Sequence, residues 1–200
     1  MYDVLIIGGG AAGVSCALVL GSAKNKHFMA DKKIGILAHQ KTSNLQEALF
    51  NNAYGITPGT LGADLLNTTL HDLAQSYPHI DQIPSEKVMK IEGEFPEFIV
   101  TTNKTSYRAK KIVVAVGWAN TFMIEGLMDY VEPHQKSIVE KQRIQLRNID
   151  HKITDGLYVA GTLAGWRSQL AIAAGSGASV ATDIMTAFNG GVDAVSHDKK

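Results

Sequence analysis

Residues 3–13 read DVLIIGGGAAG. A short apolar run leads directly into a glycine-rich turn, and helical spacing of apolar residues follows through Ala17, Leu18 and Leu20. A second apolar run, KIGILA at 33–38, completes a strand–helix–strand unit within the first forty residues. Because this GxGxxG pattern follows a strand and opens a helix, it predicts a Rossmann-type dinucleotide-binding fold.

Each glycine of the pattern has a mechanical role. Gly8 allows the tight turn that leaves the strand, Gly10 lets a pyrophosphate approach the backbone, and Gly13 lets helix and strand pack closely. The helix N-terminus then offers free N–H groups and about half a positive charge to the phosphates. The pattern therefore predicts a phosphate site at residues 8–13.

The fingerprint also expects an acidic residue about 20 positions further on, which binds a ribose hydroxyl. The sequence has Ala38, His39 and Gln40 there. His39 or Gln40 would have to bind the ribose as a neutral group, without a charge-assisted hydrogen bond. This departure weakens the case for NAD and leaves FAD open.

Composition argues against several other classes of protein. The 200 residues carry no formal net charge and no basic stripe, so nucleic acid is not an expected partner. No apolar run reaches the roughly 20 residues of a membrane span, and the N-terminus begins a core strand without a signal peptide pattern. Cys16 is the only cysteine, which excludes an internal disulfide and fits a cytoplasmic protein. The seven histidines show no metal-ligand spacing, so no metal site is expected.

The rest of the chain predicts one domain with alternating elements. An amphipathic helix is expected over 61–73, and a longer one, rich in small residues, over 168–188. The strands are expected at 86–92, 97–102 and 105–109, as an antiparallel meander, and at 112–116 and 157–160, as buried strands. Residues 119–152 are mixed in character, and residues 190–200 are expected to fray.

Four stretches resemble the FAD domain of the thioredoxin reductase family, within the two-dinucleotide-binding flavoproteins. They are DVLIIGGGAAG (3–13), NNAYGITPGTLGADLL (51–66), KIVVAVGW (111–118) and GLYVAGTLAGWRSQLAIAAGSGASVATDIM (156–185). With the meander they cover most of the chain except roughly 119–152. The resemblance implies an α/β fold, a Rossmann-like three-layer ββα arrangement with a central parallel sheet and an antiparallel meander, and FAD as the cofactor.

The resemblance also implies which residues contact FAD. The pyrophosphate, the adenine and the flavin side are assigned to Gly8, Gly10, Ala11, Ala12, Gly13, Val88, Ala115, Val116, Gly117 and Trp118. The ribityl chain, the flavin's N1–O2 edge and the loop around the flavin are assigned to Gly161, Thr162, Gln169, Leu170, Ala171, Asn44 and Asn52. Gly175 and Gly177 are interpreted instead as close-packing positions.

Three departures from the family pattern shape the functional prediction. Thr162 stands where the family has an acidic residue, a change worth about 1–2 kcal/mol of hydrogen bonding. Only about forty residues separate Gly117 from Gly161, too few for a second dinucleotide-binding domain. Segment 119–152 is therefore expected to replace the family's NADPH domain. The redox CxxC is absent, and Cys16 is expected to be a buried core thiol.

Several roles stay open between two alternatives. Trp118 and Trp166 either stack near the isoalloxazine or pack in the ordinary way. Arg167 either steadies a reduced flavin or is solvated. Segment 136–152 is either an edge hairpin that replaces the missing domain or a solvated face.

The leading functional hypothesis is an FAD-dependent oxidoreductase. It would exchange electrons with a small molecule or a redox partner protein at an exposed flavin, and the resemblance allows a homodimer. The alternatives are a flavin-binding regulatory or scaffold protein without turnover, and a small NAD-dependent dehydrogenase. The 156–185 stretch argues against the dehydrogenase, because plain NAD dehydrogenases have no counterpart of it.

Overall fold

The computed structural model describes residues 1–39, 45–117 and 122–197. Within these ranges three α-helices form, α1 (Ala11–Ser22), α2 (Gly62–Ser76) and α3 (Leu170–Phe188). The strands in the first half of the chain are β1 (Tyr2–Ile7), β2 (Ile34–Ala38), β3 (Leu49–Phe50), β4 (Thr60–Leu61), β5 (Ile80–Pro84), β6 (Val88–Glu94), β7 (Glu97–Thr102) and β8 (Ser106–Val114). They are followed by β9 (Val131–Pro133), β10 (Ile144–Leu146), β11 (Lys152–Thr154) and β12 (Leu157–Val159).

The central sheet has the strand order β11-β12-β8-β1-β2-β5. All pairs from β12 to β5 are parallel, and β11 joins β12 as an antiparallel hairpin. Parallel strands are covered on both faces, which is why β1 consists almost entirely of apolar residues. Leu5 and Ile6, whose side chains point to opposite faces, are both fully buried.

The two faces of β1 belong to two different cores. Val4 and Ile6 pack with α1 and α3. Leu5 and Ile7 pack with β6, β7 and β8 and with apolar residues of the segment that follows β8. Helices therefore cover one face of the parallel sheet and the antiparallel meander covers the other. This three-layer ββα arrangement confirms the predicted fold class.

Strand β8 corrects one detail of the sequence-based prediction. Two strands were expected, at 105–109 and 112–116, but one strand runs through Ser106–Val114. Its first half pairs with β7 and its second half with β1, so it joins the meander to the parallel sheet. Lys111 lies in the middle and is buried, with its ammonium 4.7 Å from the Phe95 ring centroid and 5.3 Å from that of Phe188. Burial lowers the pKa of Lys111.

Three further differences concern edges of the fold. The edge strand β5 was not expected from the sequence. Segment 119–152 contains an antiparallel pair, β9 with β10, that stands apart from the central sheet. The expected frayed tail packs at one point, because Ala194 is buried and its N–H donates to Thr186 Oγ1 at 3.1 Å.

Helix α3 packs against α1 at Gly177, as predicted, but the same prediction for Gly175 is wrong. A Cβ on Gly177 would lie 1.9 Å from the carbonyl oxygen of Ala12, whereas a Cβ on Gly175 would have nothing within 4 Å. Among the described residues, α3 is the helix with the length and mean hydropathy (1.2) of a membrane span. A core helix passes the same test, and this helix is packed on α1. The prediction for Cys16 is confirmed: it is fully buried in α1, and burial raises the pKa of its thiol.

Candidate cofactor site

A cleft of about 480 Å³ opens where β1, β2 and β8 end, at their carboxyl edge. This edge is where open α/β sheets hold ligands. Several separate stretches of the chain line the cleft: the glycine turn 7–12, residues 86–88, residues 115–117, residues 122–124, residues 160–162, and residues 168–170 with Ala173. The side chains of Leu45, Ala48 and Phe50 close it from the loop after β2.

The glycine turn shows three distinct reasons for glycine. Gly8 has φ +116°, and a Cβ there would lie 2.5 Å from the carbonyl oxygen of Ala115. A Cβ on Gly13 would lie 1.9 Å from the carbonyl oxygen of Gly8, so Gly13 serves the packing of α1 on β1. Gly10 differs from both, because its φ of −82° suits any residue and a Cβ there would meet nothing within 4 Å. Gly10 therefore borders open cleft, which fits the close approach of a phosphate.

The N-terminus of α1 is directed at the same space. The helix begins at Ala11, its N-cap residue makes no side-chain cap hydrogen bond, and its first turn has no acidic residue. The first N–H groups of a helix have no partners within the helix itself and favour an anion. The residues present thus fit a dinucleotide pyrophosphate.

His39 supplies a second fit to a dinucleotide. It directly follows β2, at the position where the fingerprint expects an acid, and it lines the cleft. Its Nδ1 atom is buried and has no hydrogen-bond partner among the described residues. A buried polar atom without a partner is costly, and a ligand hydroxyl would satisfy it. The unsatisfied Nδ1 atom at this position therefore fits a hydroxyl of a dinucleotide ribose.

Glu86 and Lys87 line the cleft beside Val88, and sequence reasoning did not select them. Glu86 is buried and accepts hydrogen bonds from Thr102 Oγ1 at 2.7 Å and from the Tyr107 hydroxyl at 3.0 Å. Both carboxylate oxygens are thus engaged within the meander. The sequence could have indicated them only by their position directly before Val88, the expected adenine contact.

Most of the residues predicted to contact the cofactor line this one cleft. They are Gly8, Gly10, Ala11, Ala12, His39, Val88, Ala115, Val116, Gly117, Gly161, Thr162, Gln169 and Leu170. Gly13, Asn52 and Ala171 do not line it; Asn52 and Ala171 are exposed. Gln40, Asn44 and Trp118 fall outside the described residues.

A hydrogen-bond chain holds the second glycine motif in place. Ser176 of α3 is buried, and its Oγ accepts the N–H of Gly161 at 2.8 Å. The same Oγ lies 2.9 Å from His151 Nε2, which also receives the indole N–H of Trp166 at 3.0 Å. Because Nε2 accepts the indole proton, His151 is the tautomer protonated at Nδ1, and the Ser176 hydroxyl donates to it. Burial lowers the pKa of His151, partly offset by Asp183 and Asp150.

Trp166 takes the packing alternative in this structure. Its ring stacks on His151, with centroids 5.9 Å apart and planes 26° apart, and it does not line the cofactor cleft. In the part of the chain that is described, no group of histidine, cysteine and carboxylate residues could hold a metal ion.

The fold and the cleft define a dinucleotide-binding domain. Residues 2–177 match the family model described as pyridine nucleotide-disulphide oxidoreductase, and the chain belongs to that family. The predicted family, the pyridine nucleotide-disulphide oxidoreductases, is thereby confirmed.

Curated relatives include ferredoxin–NADP reductases. That of Leuconostoc mesenteroides is 26% identical over 190 residues, which cover 94% of this chain and 50% of the relative. That of Lactococcus lactis is 30% identical over 115 residues, 58% of this chain and 35% of the relative. The chain thus spans about half or less of the length of these relatives.

Solved structures show the same fold. A thioredoxin reductase from Gloeobacter violaceus superposes with a TM-score of 0.74 at 14% identity, covering 100% of this chain and 98% of that one. A ferredoxin-flavin thioredoxin reductase from Clostridium acetobutylicum gives 0.70 at 16% identity, covering 94% and 98%. At such identities the likeness establishes the fold alone.

Proposed function

We propose that the cleft binds one FAD per chain, and that the protein is an oxidoreductase using this FAD with an external electron donor or acceptor. One observation carries the proposal. Three stretches that resemble FAD motifs, at 8–12, 115–117 and 161–170, are far apart in the sequence and converge on a single cleft. A structural glycine-rich turn would not require the other two stretches to meet it.

Particular residues would hold the cofactor. The N–H groups at the start of α1 and the open space beside Gly10 would receive the pyrophosphate. The orphaned Nδ1 of His39 would receive a ribose hydroxyl, and Val88 would contact the adenine. Thr162 and the N-terminus of α3, at Gln169 and Leu170, would border the ribityl chain and the flavin.

Bound FAD would supply the redox chemistry. The N-terminus of α3 favours negative charge by about 0.3–1 kcal/mol, which suits a reduced flavin at that end of the helix. Cys16 is buried and is the sole cysteine, so no internal dithiol can relay electrons. The partner in the reaction is therefore a small molecule or a redox protein outside this domain, with segment 119–152 in place of an NADPH domain. We place the protein in the cytoplasm, supported by the free thiol.

A matched pair of glycine variants tests the cofactor site. We expect purified or reconstituted protein to be yellow and to release one FAD per chain on denaturation. Gly10→Val, and to a smaller extent Gly10→Ala, should lose FAD because the added side chain occupies the cleft. Gly175→Ala adds a Cβ at another open position, outside the cleft, and should retain FAD. Colourless protein that takes up no added FAD, or full FAD retention by Gly10→Val, would contradict the proposal.

A further inference from the structure

A second cleft of about 400 Å³ lies beside the first. Its walls come from residues 134–143, within the short segment between the two FAD-like motifs, and from residues 166–168, immediately before α3. Thr162 and Ser168 line both clefts. A molecule seated in the second cleft would therefore border the cofactor cleft without leaving the surface of the domain.

Of the residues that the structure describes, four cationic side chains and no carboxylate line the second cleft. The four cationic side chains are Lys136, Lys141, Arg143 and Arg167. In the described part of the chain, Lys136, Lys141 and Arg167 form no ion pair with an acidic residue. Like charges held close together repel one another, so an anion among them would remove an unfavourable interaction as well as add favourable ones.

Local contacts hold two of these cations, Lys136 and Arg167, in position. The Lys136 ammonium lies 4.2 Å from the centroid of the Trp166 ring, and Arg167 Nη1 donates to the Lys136 carbonyl oxygen at 3.2 Å. His134 Nδ1 accepts the Lys136 N–H, and His134 Nε2 donates to the Trp166 carbonyl oxygen, each at 3.2 Å. Because its Nδ1 accepts and its Nε2 donates, His134 is neutral, and it connects the two walls of the cleft. The lysine and arginine side chains are then the groups that would bind an anion.

A buried hydroxyl points to a ligand independently of the charges. Ser137 lines the second cleft, and its Oγ atom is buried without a hydrogen-bond partner among the described residues. Native structures rarely leave such an atom unsatisfied. A hydroxyl beside lysine and arginine side chains is a typical set of donors for an oxyanion.

We propose that this basic cleft binds the oxyanion group, phosphate or carboxylate, of a small molecule that exchanges electrons at the neighbouring cofactor. The electron exchange rests on the proposed FAD function; the binding of the anion does not. A concave site of this volume fits a small ligand, whereas a docking site for an acidic protein would be a broader and flatter surface. Residues 134–143, within the segment between the two FAD-like motifs, thereby supply a substrate subsite.

Binding of simple anions tests the proposal without knowledge of the natural substrate. The full chain, labelled with ¹⁵N, is titrated at constant ionic strength with inorganic phosphate and, separately, with succinate. We expect saturable amide shifts confined to 134–143 and 166–168. A response to phosphate alone assigns a phosphate-bearing ligand, and a response to both assigns an oxyanion in general.

Two double variants provide the comparison. Lys136→Gln with Arg167→Gln should weaken anion binding by about tenfold or more, because two charge-assisted contacts are lost. Lys24→Gln with Lys26→Gln removes two exposed cations elsewhere and should leave the affinity for the anion unchanged. Non-saturable shifts, equal weakening in both double variants, or binding of an acidic protein without binding of either anion would overturn the proposal.

Repeating the titration with FAD separates the two proposals. In FAD-loaded protein, saturation with phosphate should perturb the visible spectrum of the flavin, and should not do so in the Lys136→Gln, Arg167→Gln variant. Saturable anion binding by a chain that takes up no FAD would contradict the proposed FAD function but not the basic cleft. FAD uptake without saturable anion binding would defeat the basic cleft alone.

Discussion

Gly177 of α3 packs directly against the carbonyl oxygen of Ala12 in α1: a Cβ on Gly177 would lie 1.9 Å from that oxygen. Ala12 belongs to the glycine turn that lines the cofactor cleft, and Gly177 follows Ser176, which holds the N–H of Gly161. This contact therefore sets the distance between the first and the last cofactor motif of the chain.

Gly177→Ala should destabilise the protein because backbone, and not a flexible side chain, stands in the way of the added methyl. Overpacking of this kind costs about 1–3 kcal/mol in the free energy of unfolding. Gly175→Ala, two residues earlier with open space around its Cβ, should gain up to about 1 kcal/mol from helix propensity alone. Urea denaturation of the two variants measures both values, and equal effects would contradict the close contact.

Thr162→Asp should tighten FAD binding by about tenfold, because a charge-assisted hydrogen bond replaces a neutral one. Thr162 also lines the basic cleft, whose cations would offset the repulsion between the new carboxylate and the phosphates. Titration of apoprotein with FAD measures the affinity. Thr162→Ser keeps the hydroxyl and should match the wild-type protein; weaker binding by the aspartate variant would show that Thr162 does not stand in for the family's acid.

NADPH and NADH should reduce the bound flavin slowly, at a rate that rises linearly with nicotinamide concentration. Hydride transfer requires the two rings in near contact, and a dedicated site supplies the large effective molarity for that geometry. The chain contains one GxGxxG pattern, and the proposed FAD site uses it. Anaerobic stopped-flow reduction measures the dependence. A hyperbolic curve that saturates at low nicotinamide concentration would reveal a nicotinamide site in this chain.

Acidification should destabilise the protein through His151, whose pKa in the fold is lowered by burial below the ordinary value of about 6.5. Between the lowered pKa and about 6.5, the unfolded chain binds a proton at this position and the folded chain does not. The free energy of unfolding contributed by this group is therefore constant above about pH 7 and falls as the pH drops through that window.

A histidine-to-asparagine variant isolates this effect. His151 has φ +70°, a conformation that asparagine tolerates, so His151→Asn should fold while losing the titration. Its unfolding free energy should depend less on pH below about 7 than that of the wild-type protein. The exposed Asn67, changed to Gln, is the control and should keep the wild-type slope. An unchanged slope in His151→Asn would exclude the role of His151.

The sequence predicted the central strand–helix–strand unit because its elements are apolar, short and separated by glycine. It did not predict β5, since Asp81 and Gln82 interrupt the apolar pattern of an edge strand. It divided β8 at Lys110 and Lys111, because two consecutive lysines indicate a solvated turn. The burial of Lys111 between two aromatic rings depends on contacts with Phe95 and Phe188, which no local pattern contains.

For the site as well, residues within local motifs could be predicted, and residues that come together only in the fold could not. Gly8, Gly10 and Thr162 belong to motifs that carry their own spacing, and they line the cleft as placed. Ala171 was selected with its neighbours, but it lies on the exposed side of the first turn of α3. The basic cleft was not predicted, because Lys136 and Arg167 are 31 residues apart and come together only in the fold, where they contact each other directly and through His134 and Trp166.

The walls of the cofactor cleft extend from Ile7 to Ala173 along the chain, and α3 closes them by packing on α1. A nascent chain that has not yet released α3 from the ribosome therefore lacks one wall of the cleft. A cofactor held in this cleft would accordingly be captured only after residues 168–173 had been synthesised.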